Sequence, residues 1–257
     1  HYYASGELKA GGAPQFHESA SWRTSIIKII MDSKIVQQIL EKNKEDYERL
    51  ANEFSASRFL NWPEVEILAE EHLRTEMRVL DLGCGNARLY PIVKKHQAQY
   101  LGIDNCKALL KIAKENYPEI DCREGEVTNL ELETNSFDII FYIAALHHLP
   151  SLELKTASLL ECFRVLKPGG LLICSVWNLV NPERILEQGT QRVKNSKLYA
   201  GLGLRDFLIP WKTNDGAIIY RYYYVFTQKE LMELLVAAGF KIEKIINGRN
   251  IVCVARK

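Results

Sequence analysis

Seven consecutive residues, Asp81-Leu82-Gly83-Cys84-Gly85-Asn86-Ala87, have the composition of a small-molecule site. The apolar pair Val79-Leu80 leads into them, and Arg88 to His96 follows with helical spacing. Glycines at such a turn let the backbone approach a ligand and adopt angles that a Cβ disfavours. A dinucleotide loop would read G-x-G-x-x-G and present bare N–H groups to phosphate. Here Asp81 stands just ahead of the turn, which suits a cationic ligand better than a pyrophosphate. Asp104 closes the next apolar run, in Gly102-Ile103-Asp104. A carboxylate about 20 positions beyond a glycine loop can accept from both hydroxyls of a ribose. A solvated strand-end acid is the plain alternative.

A second group of side chains lies away from this loop: Arg58 with Trp62, His147-His148, Trp177, Trp211, and Arg221 with Tyr222. Aromatic rings near strand ends can stack an extruded base, at roughly 1–3 kcal/mol each. Arginine selects carboxylates through its planar fork. The plain alternative for each ring is a place in the core. Adjacent strand residues point to opposite faces, so at most one of the two histidines faces a site. No third ligand stands near them, and no metal site is expected.

These residues need a frame, and the chain supplies alternating elements. Strands are predicted at Arg78–Cys84, Tyr100–Asn105, Ile120–Val127, Phe137–Ala145 and Leu171–Trp177, with helices at Arg88–His96, Lys107–Asn116 and Leu152–Leu166 between them. Such alternation implies a parallel sheet covered by helices on both faces. Thr227 caps a helix that Gly239 stops, and Asn247-Gly248 joins two final strands as a hairpin. Ahead of the sheet, residues 31–73 read as two helices, the second starting at Pro63. Residues 1–30 read as a tag or a disordered extension, and residues 74–257 as the main domain. Within that domain, 178–221 breaks the rhythm. Long insertions in compact domains are usually functional, so it is expected to face the substrate.

The 257 residues carry a net charge of +1, which excludes a global polyanion-binding surface. From Arg184 to Lys229, however, eight Lys/Arg face three Asp/Glu, a local excess that could hold phosphates or could be a solvated face. No apolar stretch approaches the roughly 20 residues of a membrane span. The six cysteines are scattered with no C-x-x-C, which reads as reduced thiols in a cytoplasmic protein without a zinc site.

The loop, Asp104, the Phe137-Asp138 pair and Leu166-Lys-Pro-Gly-Gly170 resemble class I S-adenosylmethionine (SAM) methyltransferases. Further motifs resemble the wobble-uridine tRNA methyltransferases that esterify 5-carboxymethyluridine. They are Phe54-Ser-Ala-Ser-Arg58-x-x-x-Trp62-Pro63, Ile143-Ala-Ala-Leu-His147-His148, Ser175-Val-Trp177, Pro210-Trp211 and Arg221-Tyr222-Tyr223. The resemblance runs from about Tyr47 to the C-terminus. It implies an α/β, Rossmann-like fold with a seven-stranded, mostly parallel sheet ending in an antiparallel hairpin. It implies SAM as cofactor, held by Asp81, Gly83, Gly85, Asn86, Asp104, Glu126 and Ala144. Arg58, His147, Trp177 and Arg221 become the catalytic candidates, with His147 favoured over His148. Trp62, Trp211 and Tyr222 become the substrate contacts. It also implies the anticodon region of tRNA as substrate, and a small zinc-binding activator docked on the Ile120–Val127 edge. Three departures stand out: Ser57 where Thr is usual, Tyr224 where His is usual, and Ala87 in place of a third glycine. A small-molecule O- or C-methyltransferase acting on a quinone or phenol is the alternative, and a non-catalytic cofactor-binding adaptor is a further one.

Overall fold

In a computed structural model the described residues are 31–58, 61–180 and 202–257. Helix α1 spans Ser33–Ser57, with the Asp32 side chain accepting from Lys34 N at its start. Helix α2, Pro63–His72, opens on its proline, whose missing N–H would have had no helical partner anyway. Then come β1 (Arg78–Leu82), α3 (Tyr90–Lys95), β2 (Gln99–Asp104), α4 (Lys107–Asn116), β3 (Cys122–Glu124), β4 (Phe137–Ile143), a 3₁₀ turn (Leu146–His148), α5 (Leu152–Val165) and β5 (Leu166–Trp177). The chain continues with β6 (Asp206–Lys212), β7 (Ile218–Tyr224), α6 (Gln228–Ala237), β8 (Lys241–Asn247) and β9 (Asn250–Arg256).

Seven strands form one sheet in the order β3-β2-β1-β4-β5-β9-β8. The first five are parallel and β9 and β8 antiparallel, as expected from the sequence. One face packs α5 and α6 through Leu159, Cys162, Leu231 and Leu235. The other packs α2 and α3 through Val65, Leu68, Leu89 and Val93. Each fully buried aliphatic side chain contributes about 1.5–3 kcal/mol. Strand order reverses between β1 and β4, and ligands of open α/β sheets sit at the carboxyl ends of the strands there.

Four elements differ from the sequence-based expectation in ways that bear on the site. Strand β3 covers three residues rather than Ile120–Val127. Strand β4 stops at Ile143 because Ala144 takes φ +56°, so His147 and His148 lie in a 3₁₀ turn and strand alternation does not apply to them. Strand β5 starts at Leu166 and carries the Lys-Pro-Gly-Gly segment across a register shift against β4. The described part of the predicted insertion is an antiparallel hairpin, β6 with β7, turning at Asn214-Asp215-Gly216. Arg184, Arg192, Lys194 and Lys197 of the basic stretch, and all of residues 1–30, lie outside the described residues.

Helix α1 ties this hairpin to the sheet. Its Ile39 packs with Leu208 and Tyr222, and its Ala51 with Cys106 and Leu109 of the α4 region. The Glu48 carboxylate accepts from Lys107 N at 2.6 Å and Ala108 N at 3.0 Å, capping α4 from outside. Glu53 accepts from Trp211 Nε1 at 3.1 Å and Asn214 N at 3.0 Å, fixing the hairpin end.

Candidate active site

The carboxyl ends of β1, β2 and β4 open into a cavity of about 170 Å³ roofed by α1. Asp81, Gly83, Gly85, Asn86, Asp104, Glu126 and Ala144 all line it. Gly83 has φ +71°, and a Cβ there would lie 2.4 Å from the Ala145 Cβ, so the turn admits no other residue without moving β4's end. Gly85 has φ +54°. Ala87 also sits at φ +57°, a conformation that costs an L residue roughly 1–2 kcal/mol. Ala144 is held in its own positive-φ turn by Ser175, whose backbone O and Oγ both accept from Ala144 N at 3.0 and 3.2 Å.

Asp104 orders the loop directly. Its Oδ2 accepts from Gly85 N and its Oδ1 from Cys106 N, both at 2.8 Å. Burial raises its carboxyl, and these backbone donors oppose the rise. Each oxygen keeps a further lone pair, the acceptor pattern a vicinal diol requires. Glu126 is exposed at the rim, with Asn105 Nδ2 3.4 Å from both its oxygens. Asp81 is buried, and Tyr100 Oη donates to it at 2.7 Å. Burial pushes its carboxyl up to about 7, against the lowering effects of Tyr100 and Arg88. An ammonium group brought alongside would recover the lost solvation of that carboxylate. A cradle too tight for a Cβ, a diol acceptor and a buried carboxylate waiting for a cation together fit SAM, with its sulfonium, ribose and amino-acid ends. Asn86 does not point its amide at a ligand: Nδ2 donates to Ser55 Oγ and Arg58 O, which ties the loop to α1.

The residues expected to serve substrate and catalysis cluster beside this cavity rather than in its wall. Arg221 is 3 % exposed. Its guanidinium lies 5.6, 4.9 and 5.3 Å from the ring centres of Tyr47, Trp211 and Tyr223. Nη1 donates to Tyr47 Oη at 3.0 Å, and among the described residues the buried Nε has no hydrogen-bond partner. Arg58 lies 5.9 Å from the Trp211 ring centre, half-buried at the end of α1. Among the described residues neither arginine has a carboxylate within ion-pair distance. Trp62 is half-buried under the Arg88 guanidinium at 5.0 Å.

Three expectations are corrected by where the side chains lie. Tyr222 is not a stacking platform: it is 2 % exposed, packed on Ile39 and Leu208, with its hydroxyl on Asp206. Trp177 is buried in the same way, stacked on Tyr223 at 4.8 Å. His147 is buried against Tyr223, with Nδ1 accepting from Trp177 N, and it is His148 that reaches the cavity. Sequence reading missed Tyr47, Arg88 and His148 as cavity residues. Arg88 adjoins the glycine loop and was open to notice. Tyr47 lies in an ordinary helical pattern and gave no such signal.

No helix among the described residues is long and apolar enough to cross a membrane, and no cluster of metal-ligating side chains occurs among them. Comparison with known proteins agrees with the cavity. Residues 80–174 match the family model described as a methyltransferase domain. A methyltransferase of Encephalitozoon cuniculi is 30% identical over 76% of this chain and 85% of its own length. The Schizosaccharomyces pombe tRNA (carboxymethyluridine(34)-5-O)-methyltransferase is 29% identical over 76% of this chain and 87% of its own. Among solved structures, a Burkholderia thailandensis 1,6-didemethyltoxoflavin-N1-methyltransferase with bound S-adenosylhomocysteine superposes with TM-score 0.61 at 19% identity, covering 86% of this chain and 90% of that one. A Haloferax volcanii methyltransferase in complex with the Trm112 activator gives TM-score 0.60 at 13% identity, covering 83% and 96%. With the cavity, its carboxylates and its glycine turn arranged on this sheet, the chain belongs to the class I SAM-dependent methyltransferases.

Proposed function

We propose that this methyltransferase esterifies the carboxylate of a 5-carboxymethyl-type uridine at the wobble position of tRNA. The observation that carries the reading is Arg221: a buried guanidinium in a box of three rings, beside the cofactor cavity, with no carboxylate within ion-pair distance among the described residues. Asp46 acts on Arg221 only from beyond ion-pair distance and is itself held by Lys42, so an incoming carboxylate would be its first close counter-ion. The named relative from Schizosaccharomyces pombe supports the same substrate class.

Asp81, Asp104, Glu126 and the loop backbone hold the cofactor. When bound, SAM supplies an electrophilic methyl group. A carboxylate nucleophile is ionised at neutral pH and needs no general base. The protein's task is to select it and aim it. Arg221 and Arg58 supply that selection, with Trp211 between them as the half-exposed ring on which a base can stack. Trp62, already covered by Arg88, flanks the same wall. A grip on both carboxylate oxygens would blunt the nucleophile, so one oxygen is held and the other left to react.

A small-molecule acceptor of the quinone or phenol type would favour an apolar wall, which a buried guanidinium does not supply. The exposed edge strand β3 is the proposed docking place for a small activator protein, in keeping with the activator complex known for the Haloferax neighbour. Its three-residue length leaves little edge for strand addition, so side-chain contacts around it must supply most of the interface.

The test is transfer of tritiated methyl from SAM to total tRNA. An ester releases its label as volatile methanol under mild alkali and leaves an acid on the nucleoside. Label that stays base-stable would overturn the carboxylate reading. Full activity of the purified chain alone would overturn an obligatory activator.

A further inference from the structure

Tyr47 stands between the cofactor cavity and Arg221. Its side chain lines the cavity, and its hydroxyl meets three partners: Arg221 Nη1 at 3.0 Å, His148 Nε2 at 3.0 Å and Tyr223 Oη at 3.2 Å. The direction of each bond follows from the far side of the histidine. His148 Nδ1 lies 3.0 Å from the carbonyl oxygen of Tyr222, which can only accept, so Nδ1 carries a proton. Burial, reinforced by the Arg221 charge, pushes this imidazole down to about 3, so it is neutral and Nε2 is bare. Tyr47 must therefore give its single proton to His148. Its oxygen is left to accept from Arg221 and from Tyr223. One protonation pattern fixes the direction of all four bonds, and no proton is free to move along them.

We propose that Tyr47 is a positioning residue for methyl transfer, a brace that fixes the direction of the Arg221 guanidinium relative to the cofactor cavity, with His148 locking the brace. The inference rests on Arg221 as the carboxylate-selecting group. The Tyr47 ring is independently supported by edge contacts with Phe54 and His148, both at 5.3 Å, so removing the hydroxyl leaves the packing in place. The remaining Arg221 donors then lose their common orientation, and the guanidinium can pivot among its three rings.

Tyr47→Phe is expected to lower kcat for tRNA methylation by about 10–150-fold, the range for a hydrogen bond to a charged group. Affinity for SAM, by titration calorimetry, is expected to stay at the wild-type value, as is KM for tRNA. Because Tyr47 acts through Arg221, the double variant Tyr47→Phe/Arg221→Gln should be no slower than Arg221→Gln alone. Losses that multiply would overturn the brace, and so would a Tyr47→Phe enzyme with undiminished kcat. A parallel fall in SAM affinity would assign Tyr47 to the cofactor instead. Nitrogen NMR of the wild-type histidines needs no variant to fold: His148 is expected as the neutral Nδ1–H tautomer, and an Nε2–H signal would refute the bond directions. Base-stable label with coupled Tyr47 and Arg221 would remove the ester and keep the brace. An ester product with independent losses would do the reverse.

Discussion

Asp81→Asn separates cofactor binding from stability at one atom. The native fold holds the Asp81 carboxyl at about 7 instead of 3.8, chiefly by burial. A raised value means that the folded chain binds this proton more tightly than the unfolded chain does. Stability from this group is complete below pH ~4, declines as pH rises and is lost above pH ~7. The shift is roughly three units at ~1.36 kcal/mol each, or about 4 kcal/mol of destabilisation at neutral pH and above. Asparagine carries no charge, and its Oδ1 still accepts from the Tyr100 hydroxyl. Its amide N–H groups need partners, so we expect a net gain of about 2–4 kcal/mol at pH 8. For a domain of this size that is roughly 4–16 °C in melting temperature. The gain should shrink towards pH 5, where the wild-type carboxyl is protonated as well. The same change should weaken SAM binding by about 10–150-fold, because the partner of its ammonium is gone. Thermal melts of both proteins between pH 5 and 8, with and without SAM, give all of these quantities together. An Asp81→Asn protein that melts no higher than wild type at pH 8, or whose advantage is independent of pH, would refute the burial argument. Undiminished stabilisation by SAM would refute the cationic contact.

Asp104→Asn leaves one acceptor oxygen for the two backbone donors, Gly85 N and Cys106 N, and turns an amide N–H group toward the other, so calorimetry should find SAM affinity largely lost and the melt should show a loss of about 1–3 kcal/mol. Asp104→Ala would also orphan the two backbone donors, at about 1–3 kcal/mol each, and is expected to lose stability as well as cofactor. Ala87→Gly removes a positive-φ strain of roughly 1–2 kcal/mol and adds an unfolded-state entropy of about 0.4–1 kcal/mol, for a net gain of about 0.5–1 kcal/mol measurable in urea. Arg58→Ala should slow ester formation by about 10–150-fold with SAM affinity unchanged, as its guanidinium lies over Trp211 and its contact with the cofactor loop is through the backbone carbonyl.

The carboxylates and the arginines play opposite electrostatic parts. Asp81 and Asp104 sit at the sheet end with raised carboxyls, so a cation and a diol are favoured there. Arg221 sits under its three rings with no carboxylate in ion-pair distance among the described residues and only Asp46 acting from farther away, so an anion is favoured beside it. The tie between the two regions is α1, through Tyr47 to Arg221 and through Ser55 and Arg58 to Asn86.

What the sequence determined by itself was the local part of the site. The loop from Asp81 to Ala87 and the strand-end Asp104 carry their geometry in a few contiguous residues: glycine where φ is positive, an acid where a strand stops. All seven residues expected to hold the cofactor line one cavity for that reason, since the strands delivering them run parallel and end together. The parallel sheet with a final hairpin was equally legible in the alternation of strands and helices, while the place of Ile120–Val127 at its edge came from the family resemblance. Only the tertiary structure decided the substrate side. Whether Trp177 and Tyr222 stack a base or fill the core depends on which surface the β6–β7 hairpin covers. Which histidine reaches the cavity turned on a positive φ at Ala144 that ended the strand early. Tyr47 and Arg221 lie 174 residues apart, and their hydrogen bond exists because α1 and the hairpin pack over the same strand ends. Periodicity along a chain records which face of an element is apolar. It does not record which distant element that face will meet, and that meeting sets the direction of every polar group at the junction.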